Sequence, residues 1–259
     1  MKSLFLRYRH GLILLIYMVL YLTWFSYLEK SITAPYQLIF MKVDNYIPFM
    51  EIFIIPYFLW FLYVAVVMIY LILFDKNEYY RSCIFLITGM TIFLIISTIW
   101  PNGHNLRPDL MGNENILARM VGYLYSIDTP TNLWPSIHVF NSLGAHLAVM
   151  HSPKLRQHKW LRWSSLVLCT SIILSTVFLK QHSFFDVITA LIMGIVLYLI
   201  CYQHERLFGW ATRNANKRTD NLAERSTGES PNGSLDNHHP DESFTDESPN
   251  NSLADQPKV

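Results

Sequence analysis

The stretch WSSLVLCTSIILSTVFL–KQHS–FFDVITALIMGIVLYLICY, residues 163–202, is two long apolar runs joined by four polar residues. Each run approaches the ~18–20 residues that a helix needs to cross the hydrocarbon core of a bilayer, so both are expected to be membrane helices. Asp186 lies just inside the second run. A carboxylate inside an apolar span costs several kcal/mol unless it has a partner, and the nearest candidate is His182. The reading of the whole chain starts from that pair.

Working outward, Gly11 to Leu28, Ile52 to Phe74 and Cys83 to Trp100 have the same length and character, and Ile137 to His151 is shorter and carries His138, Asn141, Ser142 and His146. The last is expected to face protein rather than lipid, because polar groups against acyl chains lack partners. His146 reads as a packing or interhelical hydrogen-bonding residue. The expected fold is therefore all-α: a polytopic membrane bundle of six transmembrane helices. The composition agrees, with 52% hydrophobic, 15% aromatic and 15% charged residues. The opening Met1 to Leu28 resembles a signal peptide but lacks a small-residue cleavage site, and is read as a retained signal-anchor helix.

Six crossings put both ends of the chain on one side, and basic residues orient the arrangement. One side would carry Lys2, Arg7, Arg9, Lys76, Arg81, Lys154, Arg156, Lys159, Arg162, Arg206, Arg213, Lys217 and Arg218; the other Lys30, Lys42, Arg107, Arg119 and Lys180. That bias makes the termini cytoplasmic and fits a plasma membrane. The segment from Glu29 to Glu51, with Pro35, Tyr36, Tyr46 and Pro48, suits an interfacial stretch. Residues 1–210 form the expected transmembrane domain, and 211–259, rich in Asn, Ser, Asp, Glu and Pro, a disordered cytoplasmic tail. Cys83, Cys169 and Cys201 fall in apolar runs, so no disulfide framework is expected. A net charge of +1, with no basic stripe, argues against nucleic acid as a partner.

Three polar clusters fall at the outer ends of the spans: Asn105-Leu106-Arg107-Pro108, Pro135-Ser136-Ile137-His138, and Lys180 to Asp186. Four residues separate His182 from Asp186, which places both on one face if a helix begins just before Asp186. A carboxylate on one ring nitrogen would leave the other as base or nucleophile. Pro135 suits the first turn of a helix, whose free amides, with the Ser136 hydroxyl, make an anion site. His138 could protonate a leaving alkoxide, a general-acid role worth roughly 10²- to 10⁴-fold, and Arg107 could clamp phosphate oxygens. A lone loop arginine or helix-end histidine more often meets lipid head groups or packing needs; the His182–Asp186 pair changes that balance.

These segments resemble the type 2 phosphatidic acid phosphatase superfamily, six-helix membrane enzymes with three signatures in this order; the likeness spans roughly 47–202. Pro135, Ser136 and His138 match the second signature, with Ile137 where glycine is usual. Ser175, His182 and Asp186 match the third, with Thr176 at its arginine position. Arg107 and Pro108 match the first, with Trp100 at its lysine position. The context from Asp128 to Val139, with Ile47-Pro48-Phe49 and Pro56-Tyr57, resembles the branch that includes inositol phosphorylceramide synthases and related lipid phosphotransferases. The resemblance implies His182 as a nucleophile forming phosphohistidine, Asp186 as its orienter and His138 as the acid. Arg107, Ser136 and Lys180, a replacement for a missing cation, would bind phosphate, with no metal and no cofactor. The expected function is a lipid phosphate phosphatase acting on the extracytoplasmic face. Alternatives are a lipid phosphotransferase with an alcohol acceptor and, more remotely, a transporter or non-catalytic scaffold, which would string polar residues through the bilayer depth.

Overall fold

The structure is a computed structural model that describes residues 8–31, 36–110, 112 and 114–203. The tail 211–259 and the basic residues Lys2, Arg7, Arg206, Arg213, Lys217 and Arg218 lie outside the described residues. Among the described residues the regular elements are helices, apart from one two-stranded ribbon. Its helices are α1 (Leu12–Ser31), α2 (Ile54–Phe74), α3 (Lys76–Ile99), α4 (Ile116–Ile127), α5 (Ile137–His151), α6 (Lys159–Phe178) and α7 (Phe184–Gln203). Among the described residues, five helical stretches, those of α1, α2, α3, α6 and α7, are long and apolar enough to cross a membrane. Their outward faces carry exposed Leu, Ile, Val and Phe, such as Leu15, Ile16 and Leu20 on α1. Such a surface suits acyl chains as solvent.

The expected sixth crossing, α5, is the centre of the bundle and packs against α2, α3 and α6. At 15 residues it rises only ~22 Å at 1.5 Å per residue, short of the full core thickness. Its polar side chains face protein, as expected: His146 Nδ1 meets Ser165 Oγ of α6 at 2.9 Å, and Ser165 Oγ meets Tyr63 Oη of α2 at 2.6 Å. Close approach of α3 to α5 depends on Gly89, where a Cβ would lie 2.1 Å from Cε1 of Phe140. The Phe140 ring stacks on Phe85, with centroids 4.6 Å apart. At the far end of the bundle Asp75 caps α3 through Glu78 N–H and accepts from Ser152 Oγ at 2.8 Å.

Sequence periodicity did not mark α4, and two local readings are corrected. Pro135 is not in the first turn of α5: the helix begins at Ile137 with Ser136 as its N-cap, and the Trp134–Pro135 bond is cis. His182 is not on a helical face with Asp186, because α7 begins only at Phe184. The turn before it is a Schellman ending of α6, in which Lys180 N–H donates to Val177 O and Gln181 N–H to Thr176 O. Lys180 holds the left-handed position at φ 51°. The 29–51 segment is structured where described: β1 (Gln37–Leu38) pairs in parallel with β2 (Asn102–Gly103), and a 3-10 turn covers Lys42–Asn45.

Candidate active site

The α6–α7 turn is held from both sides. Ser183 is the N-cap of α7, its Oγ accepting from Phe185 N–H at 3.2 Å, and Asp186 Oδ2 accepts from Ser183 N–H at 3.0 Å. This reciprocal cap is what brings Asp186 back over the turn, where Oδ2 also meets His182 Nδ1 at 3.3 Å. Asp44 seals the same helix end: its buried carboxylate accepts from Ser183 Oγ at 2.6 Å, Phe184 N–H at 2.8 Å and Met41 N–H at 2.8 Å. Such charge-assisted bonds at a helix N-terminus are among the stronger ones.

The second histidine arrives from α5. His138 Nδ1 lies 3.3 Å from His182 Nε2, and its ring sits between Tyr57 and Trp60, with centroids 4.7 and 4.3 Å away. A carboxylate only accepts, so His182 carries its proton on Nδ1 and presents the lone pair of Nε2; His138 Nδ1–H is then the donor between the rings. Burial, aided by the charge of Arg107, pushes the His182 imidazole down to about 3. The ring is neutral at pH 7, and its contact with Asp186 is a hydrogen bond from neutral imidazole. The line Asp186–His182–His138 thus sets a proton donor against the lone pair of His182 Nε2, which is free to attack once that contact opens.

Arg107 joins this line through the residue before His182. Its Nη2 donates to Gln181 Oε1 at 2.5 Å, its Nη1 donates to the carbonyls of Asp128 at 2.7 Å and Tyr125 at 3.3 Å, and the guanidinium lies over the Tyr125 ring at 4.5 Å. The other two anticipated phosphate ligands have protein partners. Ser136 is fully buried, with Oγ accepting from Val139 N–H at 3.4 Å, and Lys180 Nζ donates to the carbonyls of Asp44 at 2.7 Å and Ile47 at 2.5 Å.

Sequence reasoning missed four residues here: Asp44, Asn102, His104 and Gln181. Asn102 Oδ1 accepts from the N–H groups of Leu133 at 2.9 Å and Trp134 at 3.0 Å, fixing the turn that presents Ser136. His104 receives Leu106 N–H on Nδ1, so its Nε2 carries the proton and donates to Gln181 O at 2.8 Å. Burial lowers its imidazole to about 4. Neighbouring Asp128 is raised to about 6 by burial, against the pull of Arg107. A signal for Asn102 and His104 stood in the sequence, two polar residues directly after an apolar span; Asp44, in a loop 138 positions before His182, had none. A pocket of about 270 Å³ walled by Trp100, Trp134 and Phe185, with Gln37, Leu38 and Asn102, flanks this turn.

A protein-family model described as the PAP2 superfamily matches residues 118–210. Over this segment the chain is similar to the PAP2 superfamily. No curated protein and no solved structure matches it. The PAP2 segment holds Ser136, His138, Lys180, His182 and Asp186, whereas Asp44, Asn102, His104 and Arg107 reach the same cluster from the part of the chain before it. The superfamily resemblance of the sequence is thereby borne out, and with it a membrane protein of the phosphatase and phosphotransferase type.

Proposed function

We propose that the chain is an integral membrane lipid phosphate phosphatase that works without a metal through phosphohistidine. The observation that carries this reading is the Asp186–His182–His138 line, with 3.3 Å at both contacts. His182 Nε2 attacks phosphorus, and the ester oxygen leaves as the P–O bond breaks. His138, as imidazolium, gives its Nδ1 proton to that oxygen. Asp186 steadies the cation that forms on His182. In the second half-reaction His138 takes a proton from water, which attacks phosphorus and frees His182. Arg107 supplies charge to the phosphoryl oxygens, and the amides at the start of α5 offer further donors.

Lipid as substrate follows from placement: the cluster lies at the ends of apolar helices, where a head-group phosphate arrives without leaving the bilayer. Basic-residue bias favours the extracytoplasmic side for this end, with both termini cytoplasmic, and a retained cytoplasmic amino terminus fits a plasma membrane. The aromatic pocket beside Trp134 gives a second acceptor, an alcohol, somewhere to sit. That favours a phosphotransferase of the inositol phosphorylceramide synthase type as the second reading.

The test is phosphate release, in detergent with chelator, from phosphatidate, phosphatidylglycerol phosphate, isoprenyl pyrophosphate and sphingoid phosphates. Release that survives chelator and is lost in His182→Ala supports the reading, as does acid-labile label on wild type but not on His182→Ala. Release unchanged in His182→Ala overturns it. No release, but transfer to an added alcohol from a phospholipid donor, moves the assignment to the second reading.

A further inference from the structure

Helix α4 is apolar on two sides of its circumference. Ala118, Val121 and Leu124 make one face, and it is buried against Ile54 and Tyr57 of α2 and Leu179 at the end of α6. Ile116, Met120, Tyr123 and Ile127 fall within an arc of about 60° at about 3.6 residues per turn. They form a second face, exposed at 71%, 39%, 66% and 61%. Arg119 and Ser126, also exposed, stand about 70–90° round from that stripe, on the side away from the packed face. A helix surrounded by water has no use for the second apolar face, and one sunk in hydrocarbon has no place for Arg119. A packed face, an apolar face and a polar face together suit a helix that lies at a membrane boundary.

The ends of α4 fix how it lies. At its start the N-cap Asn115 donates from Nδ2 to Glu51 Oε1 at 2.7 Å, and Glu51 opens the apolar span that becomes α2. At its end Asp128 Oδ2 accepts from Tyr57 Oη, on the same span, at 3.2 Å, and Thr129 donates to Glu29 in the last turn of α1. Tyr125 Oη donates to Leu179 O, just past α6, at 2.6 Å. All these ties are to one end of the bundle, the end that carries the site, so α4 runs across the span ends. Its 12 residues rise only ~18 Å at 1.5 Å each, too little to cross the hydrocarbon core. The stripe continues a surface that faces lipid: Ile116 follows the residue bonded to Glu51, and Ile52 and Ile55, both half exposed, follow Glu51.

We infer that α4 is an interfacial helix, with the Ile116, Met120, Tyr123 and Ile127 stripe seated in the boundary between lipid head groups and acyl chains and Arg119 and Ser126 turned to water. A second copy of the chain is the weaker occupant, because stable protein interfaces use about 20–30 residues a side and the stripe is a single turn-by-turn row. The seat bears on the site: the carbonyls of Tyr125 and Asp128, at the C-terminal end of α4, accept from Arg107 Nη1. Lipid beneath α4 therefore sets the height at which that arginine stands among the head groups.

The experiment places spin labels on the full chain in phosphatidylcholine vesicles and reads collision with oxygen, which enters lipid, and with a nickel chelate, which stays in water. Labels go on Met120→Cys, Tyr123→Cys and Ile127→Cys for the stripe, and on Arg119→Cys and Ser126→Cys for the polar side. The background is Cys201→Ser, Cys83 and Cys169 being buried. Stripe labels should meet oxygen and lose contact with nickel, reading a depth of about 5–10 Å into the boundary, while labels at 119 and 126 should meet nickel. Nickel access at the stripe equal to that at 126 overturns the inference, since the face is then in water. Exclusion of both reagents from the stripe also overturns it, since protein then covers the face, and dipolar broadening between labels identifies a second copy. Three stripe positions keep the test intact if one variant fails to fold. The readout needs no turnover, so the expected depths without phosphate release would refute the phosphatase reading alone, and phosphate release with stripe labels in water would refute the interfacial seat alone.

Discussion

Asp44→Asn should damage a helix cap and a catalytic centre at once, although the residue lies 138 positions before His182. The carboxylate accepts three bonds: Met41 N–H and Ser183 Oγ on Oδ2, and Phe184 N–H on Oδ1. Asparagine can keep its oxygen where two donors converge, but its NH₂ then faces Phe184 N–H, donor against donor. One charge-assisted bond is lost, worth about 1.5–3 kcal/mol, and loss of the negative charge at the α7 N-terminus adds about 0.3–1 kcal/mol. The sum, about 2–4 kcal/mol, corresponds to a fall in thermal midpoint of roughly 4–16 °C for a chain of this size. Catalysis should fall further than stability implies. Ser183 N–H positions Asp186 Oδ2 at 3.0 Å, and a misplacement of about 1 Å near reacting groups can cost ~10²-fold in rate. The assay is the fluorescence-monitored midpoint in detergent together with kcat, with Ser152→Ala as control. That variant removes one bond to Asp75 at the other end of the bundle and should lower the midpoint slightly, leaving kcat intact. A wild-type midpoint and kcat in Asp44→Asn would refute the idea that this carboxylate builds the site.

Gly89→Ala should destabilise by about 1–3 kcal/mol through overpacking, because the new methyl would lie 2.1 Å from the Phe140 ring; Phe140→Leu should partly rescue it, and the paired midpoints check this. Acidification should lower the midpoint through His104. Its ordinary value of 6.5 is depressed to about 4 in the fold, so the unfolded chain binds the proton more readily between those values. Its stabilising share is complete above 6.5 and is lost as pH falls through 4, about 3 kcal/mol in all. Asp128, raised from 3.8 to about 6, has the opposite sign: its share is complete below 3.8 and lost as pH rises through 6. The histidine is therefore isolated by difference, and His104→Asn should lose less stability than wild type between pH 6.5 and 4. An identical loss would refute the assignment.

The helices were legible because a span must be long and apolar whatever it packs against, a property of each segment alone. Hence the runs at 163–179 and 184–202 match α6 and α7 closely, and the single charge at Asp186 with a histidine nearby marked the chemistry. The superfamily followed from motifs that stand close together in the chain. What the sequence could not carry was the means of holding them. His182 and Asp186 meet through a helix cap and not a helix face, because α7 starts between them. Lys180 and Ser136 have the residue types that bind phosphate, but the fold gives their polar atoms other partners, and exposure of a donor is decided by what packs against it. Asp44, Asn102, His104 and Gln181 act through bonds across 30 to 140 positions. Local pattern records propensity and burial; which distant loop closes over which helix end is fixed only when the packed bundle brings those groups within hydrogen-bonding distance.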